Sequence, residues 1–341
     1  MQSEAHSETL QKKSCCTPAR AGETCTANTA VNTAVMTPCN LALSLKELAG
    51  GEFLMGEDRP EVARYPTDGE GPVRRVRVSP FAIGITAVSN REFAAFVEAT
   101  AYETEAQRFG WSYVFVRHLT DKAKRSTTGV AGDATWWVGV NGACWMHPEG
   151  PGSSIKDREN HPVTHVSWND AQEFCRWTGT RLPTEAEWEF AARGGLERKI
   201  FPWGDHLTPR GKANKPEHRM NVWQGKFPEL NTGQDGYIAT APARTFPPNG
   251  YGLYNMTGNT WEWCEDWFSA SHAGGLVTKD AVLVEPRGPA SGTHKIIRGG
   301  SFMCHDSYCN RYRCAARTAN TPDSSTSHSG FRVARSIEVP I

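Results

Sequence analysis

Two cysteines, Cys304 and Cys309, stand five positions apart in the segment RGGSFMCHDSYCNRYRCAAR near the C-terminus, with Cys314 a further five along. On a straight strand the pair would sit about 16 Å apart on opposite faces. On a helix they would lie about 140° apart around the axis. Their sulfurs can meet only if the chain bends between them, and the intervening HDSY is suitable turn material. Thiols brought together in this way can form a disulfide, bind a soft metal such as Cu(I) or Zn(II), or act as a redox pair. Zinc usually takes four ligands, and strand alternation would turn the adjacent His305 away from Cys304. Two thiolates alone suit Cu(I), although the spacing by itself leaves all three fates open. A cuprous dithiolate carries a net negative charge that is costly to bury without cations or donors close by. Arg311, Arg313 and Arg317 follow within a few residues, the first two on one face of an apparent strand. Their plainer reading is a solvated basic edge.

A second short motif lies at the other end. Cys16-Thr17-Pro18-Ala19-Arg20 reads C-x-P-x-R, the look of a processing signal, inside a stretch rich in Thr, Ala, Asn and Ser. Residues 1–42 show no periodic apolar pattern and are expected to form a disordered tail. The start, MQSEAHSETLQKK, lacks the apolar run of a secretory signal, so a cytoplasmic protein is expected. No stretch approaches the roughly 18 apolar residues of a membrane span. Lys and Arg balance Asp and Glu at 37 each, which argues against nucleic acid or anionic membrane as the main partner. Ten cysteines in 341 residues are too sparse for a disulfide scaffold. Cys144, Cys175 and Cys264 are scattered and read as small buried hydrophobes.

The elements that must position the cysteine pair are legible in part. SNREFAAFVEAT opens with Ser89 and Glu92 at capping-box spacing, and Phe93, Phe96 and Val97 form its apolar stripe. SWNDAQEFCRWTG starts at Ser167 and Asp170 and stops at Gly179. PTEAEWEFAARGG has Thr184 with Glu187 and ends at Gly194. After about residue 200 short runs such as KIIRGGSF and GFRVAR read as strands joined by long loops. Abundant Gly, Pro and Trp fit a mostly irregular core filled by large aromatics. One α+β domain over 43–341 is the economical arrangement.

LPTEAEWE, PPNGYGLYNMTGNTWEWCEDW, RGGSFMCHDSYCNRYRCAAR, NTPD and GFR together resemble the formylglycine-generating enzymes, also called sulfatase-modifying factors, over residues 48 to 336. The resemblance implies a C-type-lectin-like variant fold with little regular structure. It implies an oxidase that uses O2 to convert the cysteine of a C-x-P-x-R motif in sulfatase polypeptides, bound extended before they fold, to Cα-formylglycine. Cys304 and Cys309 match the residues that hold Cu(I) in this family, with the target cysteine as third ligand. Ser301 and Trp261 match positions lining that catalytic pocket. Two Ca2+ sites are implied, one from Asn221, Val222, Asp235 and Tyr237, the other from Asn255, Gly258, Thr260 and Glu262. Oxygen-rich sets of this kind suit calcium, and without the resemblance the same Asn and Asp would read as turn residues.

The chain departs from the family pattern in two ways. Cys175 and Cys314 match disulfide-bonded positions of the animal enzymes, but their partner positions are Ala192 and Val333, so free thiols and a bacterial cytoplasmic form are expected. Trp111 in FGWSYVF stands where some relatives have an aspartate that helps read the target's arginine. The motif at Cys16–Arg20 is then the family's own target signal. Chance, docking in the chain's own cleft, and copper delivery by Cys15 and Cys16 are its three readings. Two other functions compete with the oxidase: a non-haem iron sulfoxide synthase relative and a non-catalytic lectin-like binding paralogue.

Overall fold

Reciprocal capping sets where the helices begin. Ser89 accepts the amide of Glu92 and the Glu92 carboxylate accepts the amide of Ser89, which opens Asn90–Thr100. The same box, Ser167 with Asp170, opens Trp168–Thr178, and Gly179 in a left-handed conformation closes it. Thr184 with Glu187 opens Glu185–Arg193, closed by Gly194. All three helices fall where the sequence places them. A fourth, Glu105–Phe109, opens on a Thr104–Gln107 box and is too short to show an apolar period in the sequence. The computed structural model describes residues 17–20, 41–211, 214–271, 276–277 and 281–337. The rest of the expected tail, including Cys15, Cys16, Cys25 and Cys39, lies outside the described residues.

The architecture is α+β, built from small sheets and long loops. A four-stranded sheet runs Arg317–Asn320, Lys295–Arg298, Trp261–Trp267, Ser329–Phe331 in spatial order. Its last pair is parallel and the others antiparallel, and register sets Glu262 opposite both Arg298 and Gly330. A second four-stranded sheet includes Gly51–Met55 and Arg74–Val78. Trp111–Phe115, Ala134–Asn141 and Thr127–Ala131 form a three-stranded sheet. Strands are therefore not confined to the region after residue 200. Ser112–Phe115 escapes a period-two reading because it is buried on both faces. Among the described residues no helix is long and apolar enough to cross a membrane.

The main core packs Phe93, Phe96, Phe174, Trp261, Trp263 and Phe331 together, and it includes Cys304 and Cys309. Beside it, the helix Glu185–Arg193 is buried along its whole length. It brings charge inside, so each carboxylate takes an arginine. Glu187 binds Arg181, Glu185 binds Arg317 and Arg298, and Glu189 binds Arg193 and Arg298. TEAEWE is thus a helix that anchors arginines: Arg298 and Arg317 from distant segments, Arg193 from the helix end and Arg181 from just before the helix. Burial alone would raise the pKa of Glu189, but Arg193, Arg298 and the Gly56 amide hold it down to about 2.

Breaking a buried pair from one side leaves an uncompensated charge, so Glu189→Gln should destabilise the fold by about 3–5 kcal/mol. Because the folded pKa of Glu189 is depressed, its contribution is complete above the ordinary Glu value of about 4.3. It fades as pH falls from there toward about 2. Urea unfolding at several pH values checks both statements: the wild-type chain should lose more stability over that window than Glu189→Gln.

Candidate active site

The segment from Gly299 to Ala316 has no ladder, and a turn within it makes the pair. The amides of Tyr308 and Cys309 both donate to the carbonyl of His305, at 2.9 and 2.6 Å. That closes one tight turn over HDSY and leaves the Sγ atoms of Cys304 and Cys309 3.3 Å apart. The bend that the spacing required is present. At this separation the sulfurs are in contact but not bonded, since a disulfide is about 2.05 Å long. Both are buried, at 1% and 0% exposure. Burial pushes the Cys304 thiol well above its ordinary range, and its hydrogen bond and charge interaction with Cys309 push it further.

The surroundings of the pair are partly those expected. The Ser301 amide donates to Cys304 Sγ at 3.3 Å, and its hydroxyl lies 3.9 Å from the same sulfur. Trp261 is fully buried in the same cluster, and its indole N–H has no hydrogen-bond partner among the described residues. Of the three arginines, Arg311 reaches a sulfur, its Nη1 lying 3.9 Å from Cys309 Sγ. Arg311 and Arg313 do not lie on a strand; they fall in irregular chain, and their side chains go to carboxylates at the start of the domain. Arg311 pairs with Asp68 and Arg313 with Glu70. They are buried rather than a solvated edge. His305 uses its Nδ1 on Ser307. Among the described residues no three His, Cys, Asp or Glu side chains converge on a metal position. The donor set is therefore two soft sulfurs, which fits Cu(I) better than tetrahedral zinc.

The two oxygen-rich sets each contain an amide oxygen with nothing to accept. Asn221 donates from Nδ2 to the Ala239 carbonyl and to Asn259 Oδ1, which fixes the orientation of its amide. Its Oδ1 is buried without a partner. Asp235 accepts from the amides of Val222 and Tyr237, and the Gln224 amide nitrogen bridges Asp235 Oδ2 and the Val222 carbonyl. Gln224 was not foreseen as a neighbour of this set. In the second set Asn255 Nδ2 donates to the Ala243 carbonyl, and Asn255 Oδ1 is again buried and unpartnered. Gly258 holds φ +73° with its Cα facing the Asn221 carbonyl, a close approach that only glycine permits. The Glu262 carboxylate is engaged by Arg332 and the Trp188 indole.

Cys175 and Cys314 are free and buried, with burial pushing both thiols up to about 12. Their expected partner positions, Ala192 and Val333, are buried too. Trp111 lies beside the tail: Arg20 stacks on it, and Thr17–Arg20 rests on the domain. The sequence gives Phe109 and Ser324, which also meet this segment, no functional signal of their own.

The family model of the Sulfatase-modifying factor enzyme 1-like domain matches residues 40–337. A formylglycine-generating enzyme of Thermomonospora curvata is 57% identical over 298 residues, 87% of this chain and 95% of that protein. The formylglycine-generating enzyme of Streptomyces coelicolor is 53% identical, over 86% of this chain and 89% of that one. Among solved structures, PvdO from Pseudomonas aeruginosa superposes with a TM-score of 0.61 at 25% identity, covering 88% of this chain and 96% of its own. With the paired sulfurs, the anchored arginines and this breadth of likeness, the chain belongs to the sulfatase-modifying factor family.

Proposed function

We propose that this protein is an oxidase that converts the cysteine of a C-x-P-x-R motif in sulfatase polypeptides to Cα-formylglycine, using Cu(I) and O2. The observation that carries the reading is the buried, unbonded contact between Cys304 and Cys309 at 3.3 Å. A structural cysteine pair in such contact would gain by closing into a disulfide, whereas a ligand pair has to stay open. The naming of relatives at 53–57% identity supports the same activity. Cys304 and Cys309 would hold the copper, which when bound supplies the electron transfer that activates O2.

The chain's own residues do the rest. The Ser301 amide donates to Cys304 Sγ and so favours its thiolate form. The Arg311 guanidinium near Cys309 offsets part of the buried negative charge, and Asp68 fixes its position. Trp261 offers an indole N–H to a small polar guest. The aromatic core around the pair keeps bulk water from the reacting thiol. Overall, the target gives up a Cβ–H and the S–H as two protons and two electrons, and water then supplies the aldehyde oxygen as the C–S bond breaks and sulfur leaves as hydrogen sulfide. O2 takes those two electrons and two more from a thiol reductant and, with four protons, becomes water.

Calcium is proposed at both oxygen sets, with Asn221, Asp235 and the carbonyls of Val222 and Tyr237 at one. Asn255, Glu262 and the carbonyls of Gly258 and Thr260 form the other. The orphaned oxygens of Asn221 and Asn255 support this, because a buried acceptor without a donor is costly. A cation there would pin loops that no ladder holds.

Two outcomes follow. Incubated with Cu(I), a thiol reductant, O2 and a CTPSR peptide, the protein should replace the peptide's thiol by an aldehyde. Mass spectrometry should register the loss of one sulfur and two hydrogens and the gain of one oxygen. Cys304→Ser and Cys309→Ser should each abolish conversion, and equal conversion by these variants would overturn the site. Calcium at a hundredfold excess over its Kd should stabilise the fold by roughly 2–3 kcal/mol, read as a rise in Tm that EGTA reverses. Asn221→Ala and Asn255→Ala should each remove part of that rise.

A further inference from the structure

The tail motif meets the domain as a ligand meets a groove. Thr17, Pro18 and Arg20 are buried, while Ala19 faces solvent. In C-x-P-x-R the fixed proline and arginine are the buried Pro18 and Arg20 and the variable residue between them is the exposed Ala19, while Thr17, also at a variable position, is buried. The main chain is gripped through groups that any sequence would offer. Asn320 Nδ2 donates to the Pro18 carbonyl at 3.1 Å, the Tyr113 hydroxyl donates to the Ala19 carbonyl at 3.4 Å, and the Arg20 amide donates to Ser324 Oγ at 2.8 Å.

Arg20 supplies the specificity. Its guanidinium carbon sits 4.0 Å from the ring centre of Phe109 and 4.0 Å from that of Trp111, and Nη2 donates to the Trp111 carbonyl at 3.0 Å. Planar guanidinium stacks on aromatic faces in a way that an ammonium does not reproduce. Trp111, which replaces the expected aspartate, therefore still reads arginine, through a ring face and a carbonyl. The groove also connects with the sulfur pair. Tyr113 packs in one cluster with Phe302 and Met303, the residues immediately before Cys304.

We infer that Thr17–Arg20 is an intramolecular occupant of the groove in which a client's C-x-P-x-R motif is read, so that the tail competes with clients for the site. The inference rests on the client reading of this groove. A ligand tethered to its own site acts at an effective concentration of order millimolar, so if the untethered tail motif binds with a Kd of about 0.1 mM, a client should bind about tenfold more weakly than to an emptied groove.

Binding is measurable without turnover. Fluorescence anisotropy of a labelled Ser-Thr-Pro-Ser-Arg peptide, with serine in place of the reactive cysteine, should be followed with the full chain and its variants. Arg20→Ala should bind the peptide about tenfold more tightly than the unaltered chain. Arg20→Lys should resemble Arg20→Ala, since lysine cannot occupy the sandwich in the same way. Adding Trp111→Leu to Arg20→Ala should weaken peptide binding again. Equal, measurable affinity for the unaltered chain and Arg20→Ala would overturn the tail's role and leave the client reading standing. If the peptide binds neither protein, the client reading of the groove fails, and the inference fails with it.

Discussion

A chain that runs from Gly299 to Ala316 without a strand or helix must be held by its side chains, and buried arginine–carboxylate pairs do so. Arg313 makes two bonds to Glu70 at 2.7 and 2.6 Å, and Arg317 makes two to Glu185 at 2.6 and 2.8 Å. Arg311 does the same with Asp68. Bidentate geometry fixes direction as well as distance. Desolvating these charges is expensive, and an apolar core of equal volume could be as stable. What the pairs add here is register: each arginine has one carboxylate it can satisfy, so the irregular segment has one way to lie. The sulfur pair depends on that register, because its turn alone does not say where in the molecule it sits.

The same logic extends outward. Glu185 and Glu189, one helical turn apart, share Arg298 from the central sheet, and Glu262 on that sheet's next strand takes Arg332. The result is a charged lattice running beside the aromatic core rather than through it. Calcium at the two orphaned amide oxygens would add a tie in the loops that carry Asn221 and Asn255, the second of which Arg332 also holds through the Tyr254 carbonyl. Loops, arginines and aromatics thus divide the work that ladders perform in more regular folds.

Much of this was legible before any coordinates. The three longer helices were readable from Ser/Thr caps and their partners three residues on, because capping is local. The cysteine spacing stated a requirement, a bend, and the structure meets it. The carboxylate partners of Arg311 and Arg313 were not legible. They lie 243 residues away, and no local pattern ties Asp68 or Glu70 to a distant arginine. The aromatic clamp on Arg20 is illegible for the same reason. Trp111 was visible as a departure from the family pattern, but its meaning needed Phe109 and the tail beside it. The acidic motif TEAEWE announced a helix, yet nothing local indicated that its carboxylates would be buried and paired.

The proposed chemistry requires that Cys304 and Cys309 together ligate a cuprous ion. X-ray absorption at the copper edge, on reduced protein loaded with one equivalent of Cu(I) and carrying Cys15→Ser and Cys16→Ser, tests it most directly. The expected result is a first shell of two sulfur scatterers that is lost in Cys309→Ala. A shell of nitrogen or oxygen, or a sulfur shell unchanged by that substitution, would contradict it.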